Sequence, residues 1–185
     1  MRFFQSLTLL ALSGLGLASP VDTSSSAVEA RHWPGPWGYG QCLRKEDAQE
    51  LVDAYVRMIR GWKDEDAKYL AESFTDWSDS INILAGKPLG TVTFPSKAAF
   101  VKKQQVAPDN LPIEVTHQGP IDCDEISIIW SMTFGAAQKP VRGETILTAT
   151  KEAGYWQISR IDVEFNSIAY LLNIGGTYTM PSSSA

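Results

Sequence analysis

Residues 154–167, GYWQISRIDVEFNS, place two carboxylates among apolar side chains, and the register of this stretch decides which of these side chains are buried. Neighbouring side chains of a β-strand leave from opposite faces. Unbroken alternation would therefore put Asp162 and Glu164 on the same side as Trp156 and Ile158. In that register the carboxylates line the interior, and Asp162 becomes a candidate catalytic group.

A bulge near Ser159 gives the opposite arrangement, because one extra residue turns every later side chain to the other face. The side chains turned inward are then Ile161, Val163 and Phe165. Burying each of them gains about 1.5 to 3 kcal/mol, whereas burying unpaired carboxylates costs more than it returns. The sequence thus favours the bulged register, with Asp162 outside and paired with Arg160 in water.

Several further segments also have the pattern of strands. Residues 125–134 carry apolar side chains on one face, at Ile126, Ile128, Trp130, Met132 and Phe134. Residues 77–84 and 113–118 alternate in the same way, and residues 142–152 lead by a short turn into the opening stretch. Together these segments predict a meander of antiparallel strands.

Helical spacing appears mainly before these strands. An amphipathic helix begins after Cys42 and ends at Gly61, and a second one, capped by Asp64, spans residues 63–74. A third is capped by Ser96 and ended by Pro108, and residues 167–176 form a short closing helix. Helices followed by strands predict an α+β fold, with N-terminal helices over the concave face of a cone-shaped, curved antiparallel sheet.

The N-terminal residues have a different composition. Residues 1–18 combine Arg2 with an apolar stretch and a small-residue ending, the pattern of a signal peptide, so we expect a secreted or secretory-pathway protein. Residues 19–40 are a flexible linker, or alternatively a lid formed by Trp33, Trp37 and Tyr39. The folded domain is expected at residues 41–180.

Charge, cysteine and histidine content indicate which classes of binding partner and which kinds of site to expect. Lys and Arg number 16 against 21 Asp and Glu, a net charge of −5, which argues against nucleic acid and anionic membrane surfaces. The two cysteines, Cys42 and Cys123, are expected to form a disulfide. With only His32 and His117 present, a multi-histidine metal site is excluded, and the sequence carries no phosphate-binding glycine motif.

The sequence resembles the nuclear-transport-factor-2-like superfamily, in particular its secreted fungal members. The resemblance lies in the order of the elements: a first helix, the segment GWKDEDAKYLAESFTDWSDSINIL, a helix at FPSKAAF and then long strands ending in GYWQISRIDVEFNS. That superfamily includes scytalone dehydratase, ketosteroid isomerase and polyketide cyclases. The resemblance implies a conical pocket for a small apolar ligand and chemistry that needs no cofactor. It covers roughly residues 41–180.

Two residues are the candidate catalytic groups. Asp79 shares the apolar face of its expected strand with Trp77, and His117 shares the apolar face of its expected strand with Ile113. Burial would raise the pKa of the carboxyl towards neutrality, and the pair could relay a proton to a carbonyl or hydroxyl. The alternative is that both are satisfied core residues without a catalytic role.

The expected pocket-lining residues are Tyr55, Trp77, Trp130 and Met132, which could equally be ordinary core filling. The outward face of the sheet carries apolar groups as well as polar ones, which is compatible with a homodimer. Two functions remain open. One is a cofactor-free isomerase, dehydratase or cyclase acting on a small hydrophobic metabolite, and the other is a non-enzymatic protein that binds an apolar ligand or an interaction partner.

Overall fold

The structure is a computed structural model that describes residues 42–180. The predicted signal peptide and linker, with the aromatic residues of the expected lid, lie outside the described residues. No helix in residues 42–180 is both long and apolar enough to cross a membrane.

Four α-helices and six strands make up this part of the chain, in the order α1 Lys45–Arg60, β1 Leu70–Trp77, α2 Asp79–Leu84, β2 Val92–Phe94, α3 Lys97–Gln104, β3 Glu114–Ile121, β4 Glu125–Thr133, β5 Pro140–Thr150, β6 Gln157–Phe165 and α4 Ser167–Asn173. A 3-10 helix, Asp64–Tyr69, precedes β1. The α+β class is therefore confirmed, and so are the end of α1 at Gly61 and the cap of α3 at Ser96.

The strands form one six-stranded sheet in the order β2-β1-β6-β5-β4-β3. The expectation of a purely antiparallel sheet is wrong at one ladder, because β1 pairs with β6 in parallel. The long connection from β1 to β6 through the other strands allows this pairing, which a hairpin does not. The sheet is thus mixed.

The bulge in β6 is confirmed. Thr148 pairs with Arg160 and Ala149 pairs with Ile158, which leaves Ser159 as the extra residue. Beyond it, Ile161 and Val163 are buried and contribute to the core. The apolar burial that this register allows therefore outweighs the interrupted ladder.

The core fills the space between the inner face of the sheet and α1. Inward residues of β4 include Ile126, Ile128 and Trp130, each at most 2% exposed, opposite Leu51 and Met58 of α1. The start of α1 is fixed to the sheet by the Cys42–Cys123 disulfide, which is also confirmed. Next to it, the Leu43 amide donates to the Cys123 carbonyl at 2.8 Å.

The segment around β1 and α2 overturns the predicted secondary structure. The expected second helix, residues 63–74, is a 3-10 helix followed by β1, and the expected strand at residues 77–84 is mostly α2. The Ser78 hydroxyl accepts from the Ile81 amide, and the carboxylate of Glu164 on β6 accepts from the Asp79 amide. These caps satisfy the N-terminal amides of a helix, while pairing with β6 holds residues 70–77 extended.

Candidate active site

A cavity of about 360 Å³ lies between the sheet, α1 and α3. Cavities of this size hold small organic ligands. Aromatic side chains from three strands and three helices form much of its wall, namely Tyr55, Phe94, Phe100, Trp130, Phe165 and Tyr170. Two lining residues carry a charged group: Asp76 is buried, and Lys103 is exposed. The cavity is therefore largely apolar with one buried carboxyl.

Asp76 faces this cavity because of its position on β1. It alternates with Thr75 and Trp77 and shares its face with the buried Phe74, while its backbone pairs with Ile161 of β6. The residue is 2% exposed, and its Oδ1 atom has no hydrogen-bond partner among the described residues. A buried carboxyl without a partner is uncommon, because desolvation without compensation is costly.

Burial raises the pKa of Asp76 to about 7, and the negative charge of Asp162 on the other face of the sheet adds to the rise. The ammonium of Lys87 lowers that pKa, and Glu164 raises it further, with smaller effects. Both protonation states of the carboxyl are therefore populated near neutral pH. A group of this kind can take up and return a proton.

A hydrogen-bonded trio lies on the same wall. Trp130 donates from Nε1 to the Thr145 hydroxyl at 2.9 Å, and the same hydroxyl lies 3.1 Å from the Tyr55 hydroxyl. Burial raises the pKa of Tyr55, and the charge of Asp76 raises it as well. Tyr55 therefore stays protonated near neutral pH, which makes its hydroxyl a hydrogen-bond donor.

A glycine makes room for the indole of this trio. Gly143 pairs with Trp130 across β4 and β5, and a Cβ atom built on Gly143 would lie 2.7 Å from Trp130 Cε2 and closer still to Cζ2. The ring therefore lies against the backbone of β5, where its N–H reaches Thr145, two residues further on the same face.

The structure places three of the four expected pocket residues, Tyr55, Trp130 and Met132, on the cavity wall. Trp77 is not on the wall, because it has the opposite parity to Asp76 on β1. Its ring lies under the Arg160 guanidinium at 4.9 Å, on the other face of the sheet.

The expected inward placement of Asp79 is wrong. Asp79 is the first residue of α2 rather than part of a strand, and it is exposed. Its Oδ1 atom accepts from the Gly90 amide at 2.7 Å, so it tethers the loop before β2. The inward carboxyl of this region is Asp76, three residues earlier.

The expected inward placement of His117 is wrong as well. Val115 pairs with Trp130 and His117 pairs with Ile129, so Thr116 is an extra residue that breaks the alternation. The imidazole is consequently exposed on the far side of the sheet from the cavity. The reserve candidate Asp162 is likewise on that side, where Arg160 donates two hydrogen bonds of 2.6 Å to its carboxylate.

The expected helix over residues 63–74 and the expected strand over residues 77–84 leave Asp76 between two elements, so the sequence pattern gives it no face. The signal was nevertheless available, since reading residues 70–77 as a strand puts Phe74 and Asp76 on one face. Tyr55 is among the expected wall residues, whereas its hydrogen-bond partner Thr145 is not. That partner depends on the pairing of β4 with β5 and on the space above Gly143.

A second depression, of about 500 Å³, lies beside the start of α1. Its charged groups are largely engaged: Arg44 pairs with Asp47, and the ammonium of Lys151 lies over the ring of Trp156. Among residues 42–180, no group of three His, Cys, Asp or Glu side chains is arranged to hold a metal ion. The apolar cavity is the stronger candidate site, because the buried Asp76 carboxyl on its wall has no hydrogen-bond partner in the described part of the chain.

Residues 41–177 match the family model of the NTF2-like domain. Among solved structures, the chain is similar to a "putative ketosteroid isomerase from Kribbella flavida DSM 17836", with 18% identity and a TM-score of 0.50 over 74% of this chain and 83% of that one. It is also similar to a hypothetical protein with a ketosteroid isomerase-like fold from Catenulispora acidiphila DSM 44928, solved in complex with trimethylamine, with 16% identity and a TM-score of 0.51 over 71% of this chain and 98% of that one. At such identities the likeness shows the fold alone. No curated protein matches the sequence.

Proposed function

This chain belongs to the NTF2-like domain family over residues 41–177, and we propose that it binds a small, largely apolar ligand in the cavity and transfers a proton on it through Asp76. The observation that carries the proposal is the buried carboxyl of Asp76, which has no hydrogen-bond partner within residues 42–180, on the wall of an aromatic cavity. A proton transfer of this type needs no cofactor. Isomerisation of a carbonyl compound is the simplest reaction of the class, with dehydration and cyclisation as relatives.

The chemistry follows from two side chains. The Asp76 carboxylate takes a proton from a carbon next to the ligand carbonyl, and the electron pair of the broken C–H bond moves towards the carbonyl oxygen. The Tyr55 hydroxyl supports this proposal, because a phenol whose pKa is raised by burial can donate a hydrogen bond to the oxygen as charge develops there. Asp76 then returns the proton to another carbon, which shifts the double bond.

The test is proton exchange on simple apolar ketones. We expect the full-length protein to accelerate conversion of 3-cyclohexen-1-one to its conjugated isomer and deuterium uptake by 2-tetralone in D₂O. Asp76→Asn should remove the acceleration while binding of a fluorescent apolar dye such as N-phenyl-1-naphthylamine is retained. Equal rates for the wild type and Asp76→Asn would contradict the assignment of Asp76.

A second candidate is non-enzymatic binding of an organic amine. An unpaired carboxylate among aromatic rings can hold an ammonium ion by charge and by cation–π contact, and the related structure from Catenulispora acidiphila DSM 44928 contains trimethylamine. The two candidates differ in whether ligand binding changes the protonation of Asp76. A bound cation stabilises the carboxylate and lowers the pKa of Asp76, so trimethylamine binding at pH 6 would release protons from the protein, whereas a neutral ketone would not.

Calorimetric titration in two buffers of different ionisation enthalpy measures that linkage directly. Proton release with trimethylamine, together with loss of binding in Asp76→Asn, would favour the amine. No heat with trimethylamine and a measurable affinity for acetophenone would favour the ketone.

Location and assembly complete the proposal. Export of the mature chain is supported by the Cys42–Cys123 disulfide, since such bonds persist in oxidising compartments. A homodimer is supported by Ile146, which is 43% exposed on the outward side of β5. Determining the N-terminal residue of the mature protein tests export. Light scattering of the wild type and Ile146→Glu tests the homodimer.

A further inference from the structure

The hydrogen bonds of the Tyr55 trio leave one hydrogen without a partner. The indole of Trp130 and the hydroxyls of Thr145 and Tyr55 bring three polar hydrogens. They share two contacts, from Trp130 to Thr145 and between Thr145 and Tyr55. Neither hydroxyl makes another hydrogen bond with the described residues, so one O–H group has no acceptor among them.

The identity of that O–H group follows from position. Trp130 Nε1 is only a donor, so it occupies an acceptor lone pair of Thr145 Oγ1. Thr145 is 1% exposed and does not line the cavity, whereas Tyr55 does. The arrangement that leaves no hydrogen directed into a closed wall has Thr145 donating to Tyr55 and Tyr55 donating into the cavity.

We propose that Trp130 and Thr145 are positioning residues that hold the Tyr55 hydroxyl as a donor to the cavity, so that the site selects ligands carrying an acceptor oxygen beside Asp76. The chemical class is a small apolar ketone or its enolate. This inference rests on the proposed ligand-binding function, and it adds the polarity of the ligand and the residues that enforce it.

The consequence is discrimination between ligands of equal shape. Acetophenone and α-methylstyrene differ by an oxygen in place of a CH₂ group, and only the ketone accepts a hydrogen bond. One such bond corresponds to roughly a threefold to tenfold difference in affinity. The same arrangement disfavours an ammonium ligand, which brings no acceptor for Tyr55.

Two measurements on the full chain test the inference. The first is the ratio of the affinities for acetophenone and α-methylstyrene. The second is the ¹³C resonance of carbonyl-labelled acetophenone when bound, which moves upfield when a hydrogen bond to the oxygen is lost. Each is made on the wild type, Tyr55→Phe, Trp130→Phe and Thr145→Ser, with Met132→Leu as a control for a changed wall that loses no hydrogen bond.

We expect Tyr55→Phe to lower the affinity ratio by about threefold to tenfold and to move the carbonyl resonance upfield. Trp130→Phe should lower the affinity ratio and move the carbonyl resonance upfield by less than Tyr55→Phe does, because the freed lone pair of Thr145 then competes for the Tyr55 hydrogen. Thr145→Ser and Met132→Leu should keep the wild-type resonance.

Different failures overturn different statements. If both ligands bind but Tyr55→Phe leaves the ratio and the resonance unchanged, the donor role of Tyr55 is wrong while the ligand-binding cavity stands. If Tyr55→Phe has its effect but Trp130→Phe behaves like Met132→Leu, the positioning role is wrong. If neither ligand binds the folded wild type, the proposed function itself is wrong, and the inference is overturned with it.

Discussion

The two faces of the sheet hold aspartates in opposite ways. Asp76 and Asp162 stand on neighbouring strands, since Trp77 pairs with Asp162 one position beyond the pairing of Asp76 with Ile161. On the outer face, Asp162 is partly exposed and bound by Arg160. On the inner face, Asp76 is buried without an ion-pair partner among the described residues. The side on which a strand directs a carboxyl, rather than its distance along the chain, thus decides whether the carboxyl is paired with a cation in water or is buried, as in Asp76, where burial raises its pKa to about 7.

The largest expected effect separates the two faces by activity. Asp76→Asn should reduce ketone isomerisation or deuterium exchange by about 100-fold to 10,000-fold, the usual contribution of a general acid–base group. Asp162→Asn, a matched change on the outer face, should alter the rate by about threefold at most. Comparable losses in the two variants, measured at equal folded fraction by circular dichroism, would break the comparison.

The next effect concerns stability and pH. The pKa of Asp76 is raised in the folded state from 3.8 to about 7, so the folded state binds the proton more tightly than the unfolded one. The contribution of this group is therefore full below about pH 4 and is lost as the pH rises to about 7. The free energy of unfolding should fall by up to about 4 kcal/mol over that window.

Urea unfolding at a series of pH values measures this loss, and Asp76→Asn should be free of it. Asp162→Asn sharpens the comparison, because removing its charge lowers the pKa of Asp76 and moves the midpoint of the loss to lower pH. Identical pH profiles for the wild type and Asp76→Asn would show that the inner carboxyl does not titrate in this range.

A smaller effect is expected from filling the space under the indole. Gly143→Ala should cost about 1 to 3 kcal/mol, because the new methyl group overlaps the Trp130 ring. It should also weaken acetophenone binding, since the indole N–H can no longer reach Thr145. Gly61→Ala is the matched control: its backbone is extended, and its Cβ atom would meet Asp109 at an ordinary 3.5 Å. Equal stability of the two variants would mean that the inner face tolerates displacement of its aromatic wall.

The smallest effect is expected on the outer face. Arg160→Gln removes the ion pair with Asp162, in which both side chains are more than a third exposed. Such pairs contribute about 0 to 1 kcal/mol, and salt screens them. Chemical unfolding at low and high ionic strength should therefore show a small difference that shrinks with salt. A loss well above 1 kcal/mol would make the outer face as important for stability as the inner one.

Much of the fold could be predicted because local patterns and burial agree. The apolar alternation of β4 and the bulge at Ser159 follow from which side chains gain most from burial, and the end of α1 follows from the glycine at position 61. The boundary between β1 and α2 could not be obtained in this way, because it depends on contacts far along the chain. Glu164 caps α2 from β6, and β6 also supplies the parallel partner of β1.

The candidate site shows the same limit. Tyr55 lies on the cavity wall as expected, but the inward carboxyl is Asp76 rather than Asp79, because β1 ends at Trp77 and α2 begins at Asp79. His117 lies outside the site because Thr116 is an extra residue in β3. The alternation of residues 113–118 gives no sign of that extra residue. A displacement of one residue reverses the face of a strand, so a site is less predictable than the fold that carries it.

The Cys42–Cys123 bond encloses α1, β1, α2, β2, α3 and β3 in one covalent loop. Residues 105–112, between α3 and β3, lie inside that loop, and most of them are exposed. A single proteolytic cut there would leave the helix that carries Tyr55 and the strands that carry Trp130 and Thr145 joined by sulfur. Such a nicked protein would separate into two polypeptides on a gel only after reduction, so its two pieces would stay together in any medium that preserves the crosslink.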